Sequence, residues 1–283
     1  MFRNYKVVDV FTSTPLLGNP VAVVLDAEGL TTAQMQAIAG WTNLSETTFL
    51  LPPTSPEADY AVRIFTPVDE LPFAGHPTLG SAHAALEAGR ASARGGVLVQ
   101  ECAVGLVRLS VGDRSLAFEL PPAEMASLPE ADVATLEAVL GAPILAGSTP
   151  AMVNVGPVWL VAELADAAAV VGLEPDYGAM AQFERRIGAT GITVSGAGAD
   201  GVEVRSFAPS SGVNEDPVCG SGNGSVAVYR FRRGLLPAQG GAYVAAQGQR
   251  VGRAGRVDVT VGPEGAVTIG GACVTVVEGR LAV

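Results

Sequence analysis

The sequence predicts an α+β protein of two pseudo-symmetric halves, each a mostly antiparallel sheet wrapped about a central helix. Three observations carry this expectation. Short apolar runs bounded by Gly, Pro, Asn and Asp recur along the 283 residues and outnumber the helical patterns. Arg63-Ile64-Phe65-Thr66-Pro67 returns as Arg205-Ser206-Phe207-Ala208-Pro209, 142 residues later and close to half the chain length. Downstream of each copy an acidic segment runs into a glycine-led helix start. The first is Glu70-Leu71-Pro72-Phe73-Ala74-Gly75-His76 and the second Glu215-Asp216-Pro217-Val218-Cys219-Gly220-Ser221, with Gly75 and Gly220 145 residues apart. A weaker echo pairs Gly18-Asn19-Pro20-Val21-Ala22 with Val155-Gly156-Pro157-Val158-Trp159. Echoes that keep one order at similar offsets read as a duplication.

The elements follow in order. Residues 5–11 read as a strand, 14–20 as a turn and 21–25 as a second strand. Thr31-Thr32-Ala33-Gln34 is a capping-box pattern. Met35, Ile38, Ala39 and Trp41 behind it predict a helix with an apolar stripe, ending near Asn43. Residues 47–51 and 61–65 read as strands, and a helix is expected over 77–86, closed by Gly89. The last strand is expected near 272–277. The domains expected are residues 1–118 plus 270–283, and 119–269.

Composition narrows the function. Hydrophobic residues make up 48% and charged ones 16%, which excludes a disordered chain. The net charge of −11 argues against nucleic acid, because a phosphate backbone needs clustered cations and the densest cluster is Arg230, Arg232 and Arg233. Residues 138–162 carry no charge, but Pro143, Pro150 and Pro157 interrupt them, so no membrane span is expected. Arg3 and Lys6, then Val7-Val8 and Asp9, leave no apolar signal segment, so a cytoplasmic location is expected. Cys102, Cys219 and Cys273 are odd in number and unpaired in spacing, so neither disulfides nor zinc are expected. Only His76 and His83 could add imidazole to a metal site, and none is expected.

Several residues could carry chemistry. Equivalent helix starts from two halves can face one cleft, and their amides and dipoles suit a small carboxylate. The plainer reading is that Gly75 and Gly220 only permit tight turns. Glu46 follows a helix end and precedes an apolar strand, where partial desolvation would raise its pKa toward a useful range; a solvated turn glutamate is the alternative. His76, between Gly75 and Pro77, is expected at a helix N-cap as a neutral imidazole, and His83 as a structural mid-helix histidine. Cys219 at a helix start reads equally as a low-pKa thiolate or a small buried residue. Ser221 could add a hydroxyl donor, and the absence of the phosphate-loop pattern speaks against nucleotides.

Together, Val8-Asp9-Val10-Phe11-Thr12, Gly18-Asn19-Pro20, Asn43-Leu44-Ser45-Glu46-Thr47, Arg63-Ile64-Phe65-Thr66-Pro67, Leu71-Pro72-Phe73-Ala74-Gly75-His76-Pro77-Thr78 and Glu215-Asp216-Pro217-Val218-Cys219-Gly220-Ser221-Gly222 resemble the PhzF-like phenazine-biosynthesis isomerase/epimerase family. The motifs are ordered and span nearly the whole chain. The resemblance implies the diaminopimelate epimerase-type fold, a C-terminal strand that returns to the first domain, no cofactor, a homodimer and a place in secondary metabolism or antibiotic biosynthesis. It implies a proton transfer of the kind that isomerises trans-2,3-dihydro-3-hydroxyanthranilate. Glu46 would be the general acid/base with His76, Asp216 and Ser221 as companions. Asn19, Ser45, Gly75, Pro77, Thr78, Cys219, Gly220 and Gly222 would contact the substrate.

The chain departs from the pattern in two places. Related racemases use one cysteine from each half, yet Ala74 stands where the first would be, which argues against a two-thiol route. Cys219 and Gly222-Asn223-Gly224 are also unusual for PhzF-like chains, where threonine is expected at 219, and this leaves the substrate open. An isomerase of an unsaturated proline-type acid, a racemase using Cys219, and a non-catalytic small-acid-binding protein are the alternatives.

Overall fold

A computed structural model describes residues 1–199 and 201–283. In chain order its elements are β1 (Phe2–Val10), β2 (Asn19–Val24), α1 (Thr32–Thr42), β3 (Thr47–Leu51), β4 (Tyr60–Phe65), β5 (Glu70–Leu71), α2 (Gly75–Glu87), β6 (Val97–Cys102), β7 (Gly105–Val111), β8 (Leu116–Glu119), β9 (Glu124–Ser127), α3 (Glu130–Leu140), β10 (Ala151–Asn154), β11 (Val158–Glu163), α4 (Ala167–Val171), α5 (Tyr177–Ile187), β12 (Gly191–Gly198), β13 (Gly201–Ala208), β14 (Val213–Asp216), α6 (Gly220–Arg232), β15 (Gly241–Gln247), β16 (Gly255–Val261), β17 (Val267–Gly271) and β18 (Cys273–Ala282). They form two compact units, Met1–Phe118 with Gly270–Val283, and Glu119–Ile269.

In the first unit the strands run β18-β1-β2-β3-β4-β6-β7-β8, with β5 beside β4; among these pairings of described residues β2–β3 and β4–β6 are parallel and the others antiparallel. In the second they run β9-β10-β11-β12-β13-β15-β16, with β14 beside β13; among these pairings of described residues β11–β12 and β13–β15 are parallel and the others antiparallel. Setting β1 to β7 against β10 to β16 in order, each pair of neighbours has the same sense in both units. The duplication expected from the repeats is therefore a duplication of topology.

A single helix is wrapped by each sheet. In the first unit α2 packs on β1, β2, β3, β4, β6 and β18, and in the second α6 packs on β10, β11, β12 and β16. Both helices have 13 residues, and both are buried nearly all round, as a helix inside a sheet must be. That enclosure explains their small side chains: a Cβ on Gly80 would collide with Val21 of β2. Around α1 the first unit packs Val24, Met35, Ile38, Phe49 and Phe65. The second packs Leu136, Leu160, Met180, Ile192 and Phe207 under α3 and α5.

The duplicated Arg-x-Phe segment serves as a frame in both units. Arg63 donates to both Glu70 oxygens at 2.7 and 2.6 Å, and Arg205 to both Glu215 oxygens at 2.9 and 2.7 Å. Each guanidinium also lies about 5 Å over the phenylalanine two residues on, at 5.1 Å for Phe65 and 5.0 Å for Phe207. The pair thus pins the hairpin that leads to the central helix.

Some expected details change. β1 starts at Phe2 rather than Tyr5, and β18 continues to Ala282 rather than Val277, because each templates the other from Phe2↔Ala282 to Val10↔Cys273. The capping box of Thr31 and Gln34 forms, and Asn43 closes α1 in the left-handed region at φ 54°. Trp41, expected on the apolar stripe, is 76% exposed. Six residues past Met35 it is turned about 240° from the stripe, whereas Ile38 and Ala39 fall on it. The second helix spans Gly75–Glu87, so it begins two residues earlier than expected. Among the described residues, no helix is long and apolar enough to cross a membrane. All three cysteines are free thiols.

Candidate active site

In the first unit, Glu46 sits in the loop between the left-handed cap of α1 and β3. Its carbonyl accepts from the Ala22 N–H of β2 at 3.4 Å, which ties the loop to the sheet. Its carboxylate oxygen lies 3.3 Å from His76 Nε2, the two side chains keeping 16% and 8% of their exposure. His76 is not the N-cap: Ala74 takes that position in extended conformation, and His76 is the second residue of α2. Burial lowers the His76 pKa to about 3, against a hydrogen bond with the Pro20 backbone that raises it. A neutral imidazole therefore faces Glu46. Ala74 offers no side-chain cap and Pro77 has no N–H, so the first amides of α2, at Gly75 and His76, have no capping acceptor from Ala74.

In the second unit, Asp216 ends β14, and its carboxylate accepts from the Val218 N–H at 3.0 Å. Enclosure raises its pKa to about 6; the Val218 N–H and the Cys219 thiol oppose that rise, and neighbouring Glu215 adds to it. Cys219 is the N-cap of α6, its sulfur accepting from the Gly222 N–H at 3.2 Å. Its surroundings favour the small buried residue over the low-pKa thiolate of the two expected readings. Burial, then the charge of Asp216, push the thiol well above its usual range and outweigh the help of the helix start. Ser221 is the second residue of α6 and accepts from Trp159 Nε1 at 3.0 Å. Gln247 braces the turn: its carbonyl oxygen accepts from the Cys219 N–H at 3.1 Å and from Asn223 Nδ2 at 2.8 Å, and its amide donates to the Asp216 carbonyl at 3.0 Å.

The remaining candidates fall into different settings. Asn19 opens β2 and is fully buried, whereas Ser45 is exposed on the Glu46 loop. Pro77 is buried in the first turn of α2. Thr78 is an inward residue: its hydroxyl accepts from Gln100 Nε2 at 3.0 Å, and the Gln100 carbonyl accepts from Tyr60 at 2.9 Å. Gly220 is the buried first residue of α6. Gly222 has its N–H committed to Cys219, and its Cβ position lies 2.5 Å from Ser206 Oγ, so close packing accounts for this glycine. His83 is a structural histidine, its Nε2 3.3 Å from the Thr275 hydroxyl. Sequence reasoning missed Trp159 and Gln247. The first could have been suspected, since tryptophan stands where the echoed segment of the other half has Ala22; nothing local marks the second.

Residues 8–279 match the family described as phenazine biosynthesis-like protein. Antisense-enhancing sequence 1 of Schizosaccharomyces pombe is 40% identical across 98% of each chain. Trans-2,3-dihydro-3-hydroxyanthranilate isomerase of Pseudomonas aeruginosa is 38% identical across 90% of this chain and 89% of its own. The crystal structure of the Bacillus anthracis phenazine biosynthesis protein, PhzF family, superimposes with a TM-score of 0.90 over 100% of both chains, at 24% identity, which speaks for the fold. The matched span takes in both units and every candidate residue named above. The chain belongs to the PhzF-type phenazine biosynthesis-like family and is an isomerase.

Proposed function

We propose that the chain moves a proton within a small unsaturated carboxylic or amino acid, with Glu46 as general acid/base and without a cofactor. The observation that carries the reading is the Glu46 carboxylate held 3.3 Å from a buried, neutral His76 at the start of α2. A carboxyl group so placed gives its proton to one substrate carbon and takes one back from another, so the substrate is isomerised and the enzyme returns to its starting state. The neutral ring orients the carboxyl group without pairing its charge. In the second unit, Asp216 and Ser221 are the groups that would hydrogen-bond a bound acid. The isomerase relatives point to trans-2,3-dihydro-3-hydroxyanthranilate as the acid. A thiol-based racemase has less support, because burial pushes the Cys219 thiol pKa upward and Ala74 stands at the matching place of the first unit.

The test is proton NMR in D₂O with trans-2,3-dihydro-3-hydroxyanthranilate, comparing the unaltered chain with Glu46→Gln. The reading requires deuterium to enter a ring carbon as the isomer forms, and requires Glu46→Gln to lose at least a hundredfold in rate. Full activity of Glu46→Gln would refute it, since an amide cannot relay the proton.

A further inference from the structure

We infer that Trp159 is a positioning residue for Ser221: its indole holds the hydroxyl oxygen, so that the hydroxyl proton is left to donate to a bound acid. The inference rests on the place given to Ser221 in the proposed reaction. Its basis is the polarity of one hydrogen-bonded row in the second unit. An indole N–H can only donate, so the 3.0 Å contact makes Ser221 Oγ the acceptor. The serine proton must then go elsewhere. Its neighbour is Cys219 Sγ at 3.6 Å, and the Cys219 thiol is itself hydrogen-bonded to Asp216. The row therefore runs one way, from Trp159 through Ser221 and Cys219 to Asp216. Sulfur is a weak acceptor, and this one already receives the Gly222 N–H. A carboxylate or enolate oxygen would displace it as the acceptor for the Ser221 proton.

The tryptophan is built into its place. Trp159 is 4% exposed and is paired on β11 with Gly191 of the parallel strand β12. A Cβ on Gly191 would lie 2.5 Å from the Trp159 ring and would collide with the Phe207 carbonyl, so only glycine leaves room for the indole. With Val21 set against Val158, the first half has Ala22 at this position. The device belongs to one half alone.

The decisive measurement is the indole N–H spectrum of ¹⁵N-labelled protein, which has two tryptophans, Trp41 exposed and Trp159 buried. Trp159→Phe assigns the signals. Ser221→Ala should shift the Trp159 signal and speed its solvent exchange at least tenfold while leaving Trp41 unmoved; Ser221→Thr should restore both. An unmoved Trp159 signal in Ser221→Ala overturns the inference, whatever the substrate proves to be. Kinetics form the second arm. Trp159→Phe should lower kcat about fivefold with KM nearly unchanged, and should cost nothing further in a Ser221→Ala background. Additive losses would overturn the positioning role alone, whereas full activity of Ser221→Ala would remove Ser221 from the proposed reaction.

Discussion

The two arginine frames make an internally controlled experiment. Arg205 and Glu215 each retain 4% side-chain exposure, whereas Arg63 and Glu70 retain 29% and 35%. Glu215→Gln keeps the shape of the side chain but leaves a buried guanidinium without its counter-charge, a change that typically costs 3–5 kcal/mol. Arg205 also donates to the Leu173 carbonyl at 2.8 Å and the Val170 carbonyl at 3.2 Å, which puts the expected cost at the lower end, about 3 kcal/mol. Glu70→Gln breaks the same bidentate geometry in contact with water, where about 0.5 kcal/mol is expected. At roughly 2–4 °C per kcal/mol for a unit of this size, Glu215→Gln should lower Tm by about 6–12 °C and Glu70→Gln by about 1–2 °C. Calorimetric melts of the unaltered chain and both variants at pH 8, above the Asp216 transition, would read this directly. Equal shifts would refute the reasoning, since the bidentate pairs match in geometry and the expected difference comes from burial, even after the extra carbonyl acceptors of Arg205 are counted.

Three further outcomes follow from the same structure. Asp216 holds its proton up to about pH 6 in the folded chain against 3.8 when unfolded. The native state therefore binds more protons between these values, and stability falls as pH rises through them. Asp216→Asn should flatten that part of a urea-midpoint curve, and an unchanged slope would contradict it. His76, lowered to about 3, contributes stability that is present above pH 6.5 and fades as pH falls toward 3. Its imidazole ¹⁵N signals, assigned with His76→Asn, should stay neutral from pH 8 to 5, and a midpoint near 6 would show the ring to be solvated. Gly80→Ala should lower stability by roughly 1–3 kcal/mol in thermal melts, because the new methyl meets Val21 inside the wrapped sheet; no loss would show that the helix can shift.

What could be read in advance was whatever local sequence decides. Residues 47–51 form a strand as expected because five consecutive apolar or β-branched residues leave little else to form. The capping box of α1 formed because its two hydrogen bonds lie within four residues. The ends of β1 and β18 could not be read, since each is extended only by a partner strand more than 250 residues away. The same limit applies to the candidate site. Local sequence marked Glu46 and His76 separately and the family resemblance joined them as companions, but only the fold sets them 3.3 Å apart. Trp159 and Gln247 reach Ser221 and Cys219 from β11 and β15, so their roles exist only in three dimensions.

The duplication also separates what the fold needs from what the chemistry needs. Both units keep the arginine pinned to its glutamate, the stacked phenylalanine, the parallel strand crossings and a 13-residue helix started by glycine. Residues that recur at matching places under these constraints are explained by scaffold alone. Among the places where the two units differ, two lie at the helix starts, Ala74 against Cys219 and His76 against Ser221, and one lies on a strand, Ala22 of β2 against Trp159 of β11. One start presents an imidazole to Glu46; the other presents a hydroxyl whose direction is set by an indole. A structural duplication has no reason to break its own symmetry at these three positions, since an alanine cap or a small strand residue suits the wrapped sheet in either unit. A reaction does have one. In the proposed reaction, moving a proton along a substrate needs one group to exchange it and another, chemically different, to hold the acid in place.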